Sequence, residues 1–109
     1  MAKHLGRMNG PDASSYVKGP CGDEMEFYLI INDSKIEEVN FFTGGCESTM
    51  ACGEKASELV EGKSLDDALG ISPKMIKDSL PSLSKEEGHC SILAVTALFR
   101  AIADYLLKP

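Results

Sequence analysis

Five side chains able to bind metal or carry sulfur fall in three short peptides: Cys21 and Asp23 on either side of Gly22, Cys46 after a glycine pair, and the adjacent residues His89 and Cys90. Thiolates are soft donors that suit zinc and iron–sulfur clusters, and an imidazole or carboxylate can complete a four-donor set. The spacing Cys-x24-Cys-x43-Cys contains no Cys-x-x-Cys and matches no zinc ribbon. Spacing alone therefore leaves two readings, one shared metal site or isolated structural cysteines. The choice between them turns on the elements that carry these residues.

From Met25 to Ile31 apolar residues dominate, and the same character returns from Ile36 to Phe42 after Asn32-Asp33-Ser34-Lys35. Two such runs around a polar break predict a β-hairpin, and Ser15 to Lys18 predicts a short edge strand before it. After Thr43-Gly44-Gly45 the period changes. Cys52, Ala56, Leu59 and Val60 follow i, i+4, i+7, i+8, the stripe of an amphipathic helix that stops at Gly62. Ser64 to Asp67 predicts a capped short helix, and Ser72-Pro73 starts another that ends before Pro81. Leu83 to Gly88 reads as a loop. From Cys90 to about Lys108 an Ala-rich helix carries Val95, Leu98, Phe99, Ile102 and Leu106 on one side, with Arg100, Asp104 and Lys108 as its solvent stripe. The expected class is α+β, a small antiparallel sheet of about three strands with helices packed on one face and a long C-terminal helix. Residues 1–14, with Asn9-Gly10-Pro11 as a breaker, are expected to form a flexible arm, and residues 15–109 a single domain.

On this framework Cys21 precedes a strand, Cys46 precedes a helix and Cys90 opens the last helix, so all three sit where elements end and loops converge. A thiol at a helix N-terminus gains from the free N–H groups and the partial positive charge there, which favour the thiolate. Cys52 is different: it lies on the apolar stripe of its helix and reads as a core thiol. Gly44-Gly45 is followed by Cys46-Glu47 rather than by Lys-Ser/Thr, so it is no phosphate loop.

The chain of 109 residues is 43% hydrophobic and 26% charged, ordinary values for one globular domain. Its net charge of -6 argues against nucleic-acid partners, which require clustered Lys and Arg. The first residues hold no apolar run resembling a signal-peptide core, and Arg100 and Asp104 interrupt the longest apolar stretch. A cytoplasmic protein with no membrane partner is expected. In that reducing compartment its four cysteines read as core thiols, reactive thiols or metal ligands rather than disulfides.

Four landmarks in order give the chain a resemblance to the U-type iron–sulfur cluster scaffolds, the NifU N-terminal domain and its IscU relatives. They are Gly19-Pro20-Cys21-Gly22-Asp23; Gly45-Cys46 with Ser48 and a helix behind it; Val60-Glu61-Gly62-Lys63-Ser64-Leu65-Asp66-Asp67-Ala68-Leu69; and His89-Cys90-Ser91 opening a helix that ends Ala101-Ile102-Ala103-Asp104-Tyr105. The resemblance covers roughly Val17 to the C-terminus. It implies Cys21, Cys46 and Cys90 as ligands of a 2Fe–2S cluster, Asp23 as a residue that assists release, and Asp23 or His89 as the fourth donor, with Zn²⁺ able to occupy the same donors when iron is absent.

The resemblance also implies partners: a cysteine desulfurase as sulfur source and apo iron–sulfur proteins as acceptors. Members that work with an Hsp70-type chaperone carry Leu-Pro-Pro-Val-Lys before the His-Cys pair. Here Leu80-Pro81-Ser82-Leu83-Ser84-Lys85-Glu86-Glu87-Gly88 stands in that place, and this leaves the chaperone open. A scaffold turns over no external substrate and is not an enzyme. The rival reading is a zinc-dependent sulfurtransferase of the same fold, whose members carry a longer insertion between the second and third cysteines; the Cys46 to Cys90 interval shows none.

Overall fold

The hairpin turn sets the geometry of the sheet. Asp33 and Ser34 adopt φ of 54° and 61°, so both central residues of this two-residue loop are left-handed, the type I′ arrangement whose twist matches antiparallel strands. The strands it joins are β2 (Glu24–Asn32) and β3 (Lys35–Phe42), and β1 (Ala13–Lys18) pairs antiparallel with β2 on its other side, giving the order β1-β2-β3. This is a computed structural model; it describes residues 3–19, 22–81 and 88–108. The expected loop 83–88 lies outside the described residues except for Gly88.

Inward positions on β2 alternate through Met25, Phe27, Leu29 and Ile31, all buried. On β3 the buried residues are Ile36, Val39 and Phe41, a step of three followed by a step of two. The register shift opposite Ile30 and Ile31 explains the odd step, since one extra residue in β3 returns Val39 and Phe41 to the face that Ile36 occupies. That face is covered by α1 (Glu47–Val60), which lies over β3, and by α4 (His89–Leu106), which lies over β1 and β2; α1 and α4 also touch each other. Between them in the chain run α2 (Leu65–Ala68) and α3 (Pro73–Ser79), each opened by a serine whose hydroxyl accepts an amide N–H, Asp67 N–H on Ser64 and Met75 N–H on Ser72. The α+β class with helices on one face of a three-stranded sheet is what the sequence predicts. Although α4 is long and apolar enough to span a bilayer, Ala94, Ala97, Leu98, Ala101 and Ile102 on it are buried against the rest of the fold.

The stretch expected to be a flexible arm is, over residues 4–6, docked on β3. Phe41 N–H donates to His4 O at 3.0 Å and Gly6 N–H to Phe41 O at 2.8 Å. The anchor is His4, whose backbone N–H donates to Glu54 Oε1 at 2.7 Å, while its ring nitrogens meet Glu54 Oε2 at 2.6 Å and Glu61 Oε1 at 3.0 Å. A polar composition signals an arm without its own core, but it does not reveal that one histidine will be buried between two carboxylates of α1 and its C-terminal end.

Burial opposes the charged imidazole of His4, yet the hydrogen bonds it donates to Glu54 and Glu61, with their negative charge, outweigh it and hold its pKa above the usual histidine value. A raised folded-state pKa gives stability that is fully present below the unfolded value of about 6.5 and is lost as pH climbs through the folded one. His4→Gln is therefore expected to be less stable than wild type by about 1.5–3 kcal/mol near pH 6, the range for hydrogen bonds to charged groups. Thermal melts should show that gap narrowing as pH is raised through neutrality and beyond. A gap that stays constant or widens would mean that the imidazole is held neutral.

Candidate metal centre

Asp23 stands immediately before β2, Cys46 is the N-cap of α1, and His89 and Cys90 are the first two residues of α4. Three segments far apart in the chain thus end at one corner of the sheet. Donor atoms of Asp23, His89 and Cys90 all lie within 4.8 Å of one another. Cys90 Sγ is 3.8 Å from His89 Nε2 and 3.4 Å from Thr49 Oγ1. Cys46 Sγ reaches the same hydroxyl from the other side at 3.5 Å, and Thr49 donates to Asp23 Oδ2 at 2.8 Å. Of the five residues singled out from the sequence, four converge here; the fifth, Cys21, lies outside the described residues. On either side of it, Gly19 N–H donates to Asp23 O at 2.7 Å and Gly22 N–H to Gly19 O at 3.0 Å. Gly22 has φ of 90°, which an L side chain rarely adopts.

Burial grades across the site. Cys90 is buried, Asp23 and His89 are half-buried, and Cys46 is exposed. The Cys46 thiol is drawn below its ordinary pKa by the Thr49 hydroxyl when its proton is turned from Asp23 to the sulfur, and by the Thr49 and Ser48 amides at the start of α1 in either case; burial and the Asp23 charge oppose this. These donors favour the thiolate form of the exposed sulfur, the form that binds metal and attacks sulfur. Clefts open on both sides of Asp23. One is lined by Arg7, Glu26, Phe42 and Gly44, the other by Val17, Lys18, His89, Ile92, Leu93 and Arg100. Three donors of mixed softness, with a fourth donor, the Cys46 thiol, one hydroxyl away and an approach from two sides, can hold a thiophilic metal and still admit an exchanging ligand.

Comparison with known proteins bears on the same elements. The model of the NifU-like N-terminal domain matches residues 2–109, essentially the whole chain. The chain belongs to the NifU-like N-terminal domain family. Among its relatives, the iron–sulfur cluster assembly scaffold protein IscU 1 of Archaeoglobus fulgidus is 37% identical over 107 residues, covering 97% of this chain and 70% of that protein. The scaffold protein IscU of Escherichia coli K12 is 44% identical over 89 residues, covering 81% and 69%. A crystal structure of a nitrogen-fixing NifU-like protein (N-terminal) from Brucella abortus superposes with a TM-score of 0.74 at 16% identity, covering 100% of this chain and 89% of that one. At that identity the likeness speaks to the fold alone.

Cys52 is fully buried in the core, on the α1 stripe with Ala56 and Val60. Sequence reasoning on this NifU-like domain passes over Thr49, which is fully buried beside three of the donors. The signal for it was present in the period. Thr49 precedes Cys52 by three residues and Ala56 by seven, so the inner stripe of α1, extended one turn toward its N-terminus, arrives at Thr49 and then at Cys46.

Proposed function

We propose that this chain is an assembly scaffold for iron–sulfur clusters, with the cluster as its cargo. The observation that carries the reading is the convergence of Asp23, His89 and Cys90 within 4.8 Å, with Cys46 joined to them through Thr49, in a member of a family whose named relatives are IscU scaffolds. Cys21, Cys46 and Cys90 serve as the thiolate ligands of a 2Fe–2S cluster, and Asp23 or His89 fills the remaining position. The exposed Cys46 is the natural entry for sulfur from a cysteine desulfurase. Sulfur arriving as persulfide is at the zero-valent level, and each atom needs two electrons from an external donor to become sulfide. Zinc occupies the same donors when iron is absent.

A scaffold must surrender what it builds, and Asp23 is suited to that step. A carboxylate is a harder donor than sulfur and matches cluster iron less well; Asp23 also stands between two clefts, where an acceptor's ligand can approach. The test is anaerobic reconstitution with iron, cysteine, a desulfurase and a thiol reductant as electron donor, followed by transfer to apo-ferredoxin, monitored by visible circular dichroism. Wild type should develop the 2Fe–2S chromophore and pass it on. Asp23→Ala should keep, or hold longer, its cluster in isolation but transfer it more slowly at matched loading. Absence of any chromophore in wild type would remove the scaffold reading, and wild-type transfer by Asp23→Ala would remove the release role.

A further inference from the structure

Thr49 is the atom-level meeting point of the pocket. Its side chain has no exposure to solvent, and its Oγ1 lies 2.8 Å from Asp23 Oδ2, 3.4 Å from Cys90 Sγ and 3.5 Å from Cys46 Sγ. Those partners come from the loop before β2, the start of α4 and the N-cap of α1. A threonine hydroxyl carries a single proton, and an ionised carboxylate only accepts. Donating that proton to Asp23 leaves the oxygen facing both sulfurs as an acceptor, able to take an S–H from either while they are thiols.

The neighbouring loop is shaped to this arrangement. A Cβ added to Gly45 would lie 3.1 Å from both Cβ and Oγ1 of Thr49 and 3.2 Å from Asp23 Cγ, so the glycine lets the loop close onto the Thr49–Asp23 pair. Asp23 needs such an anchor because it follows Gly22, whose left-handed backbone is open to many conformations. Without a partner, an aspartate on that flank would sample the clefts on either side rather than one position next to Cys90.

We infer that Thr49 is the positioning residue of the metal centre, tethering Asp23 by Oδ2 so that its other oxygen is presented to a metal ion held beside Cys46 and Cys90. The inference rests on the reading of these residues as a metal-holding pocket. It differs from a packing role in what it requires of the side chain: the hydroxyl matters, the methyl group does not, and the whole effect passes through Asp23.

Zinc affinity measured by competition with a chromophoric chelator distinguishes these cases, with circular dichroism and thermal melts of the metal-free variants as folding controls. Thr49→Val, which keeps the shape and loses the proton, should bind zinc about 10–100-fold more weakly, the usual cost of losing a group that orients a metal ligand. Thr49→Ser should stay near wild type. In an Asp23→Ala background, Thr49→Val should cause no further loss. Wild-type affinity for Thr49→Val, or an equal loss with and without Asp23, would overturn the inference while Cys46→Ser and Cys90→Ser still bind poorly. If those two serine variants bind zinc as wild type does, the pocket reading itself fails and the inference falls with it.

Discussion

Serine at Cys46 or Cys90 is expected to leave the reconstituted protein without 2Fe–2S absorption, and serine at Cys21 to do the same. The substitution keeps size and removes the soft sulfur donor, and an alkoxyl oxygen is a poor ligand for cluster iron at neutral pH. The two described sulfurs reach the site by different routes. Cys46 is exposed at the N-cap of α1, while Cys90 is buried at the start of α4. Loss of either should therefore remove a ligand from a different wall of the pocket, and neither variant should compensate for the other. Cys52→Ala is the internal control. Its thiol is fully buried in the core, so the variant should keep most of its cluster. The measurement is visible absorption and circular dichroism after anaerobic reconstitution, with far-ultraviolet spectra to establish that each variant is folded. Unchanged cluster content in any two of the Cys21, Cys46 and Cys90 variants would sink the assignment of ligands. A loss in Cys52→Ala as deep as in Cys90→Ser would show that the buried thiol takes part.

The second large effect concerns the approach of α1 to the sheet, which is what brings Cys46 and Thr49 to the corner. Gly53 lies in the middle of α1, where glycine is a poor helix former, and replacement by alanine would ordinarily add about 1 kcal/mol of stability. Here a Cβ would stand 2.5 Å from Phe41 Cδ2 and 2.6 Å from Cε2. Phe41 is fully buried and packs on Phe27, with ring centroids 6.2 Å apart, so it cannot swing aside. Overpacking of this kind costs about 1–3 kcal/mol and at times more. The clash exceeds the propensity gain, and Gly53→Ala should lose roughly 1–2 kcal/mol, lowering the thermal midpoint by about 5–10 °C. Because relief requires α1 to lift from β3, zinc affinity should fall in the same variant. A midpoint at or above that of wild type would mean that the helix relaxes freely and that the close packing does not set the position of the site.

Much of this molecule is written in short-range pattern. The type I′ turn at Asp33-Ser34, the serine caps of α2 and α3, the stripe on α4 and the placement of Cys46 and Cys90 at helix starts all follow from interactions within a few residues, and these act the same way wherever the segment sits. The register shift in β3 was less legible. Its one extra residue appears in the sequence only as an uneven spacing of Ile36, Val39 and Phe41, which an apolar run does not distinguish from a regular strand.

The contacts that make a site are of another kind. Thr49 meets Asp23 across 26 residues and Cys90 across 41, and His4 meets Glu54 across 50. No local period encodes such pairs, because each depends on how closely two elements approach and at what rotation. Residue pattern was enough for the elements, the three peptides that bear the donors and, through family resemblance, the chemistry expected of them. It took the folded chain to reveal that one buried hydroxyl joins Asp23, Cys46 and Cys90, and that the N-terminal segment is held by a histidine between two carboxylates. Burial turns weakly specified polar residues into obligate partners: once water is excluded, Thr49 and His4 must find hydrogen bonds inside the fold, and the packing of α1 on the sheet fixes which ones.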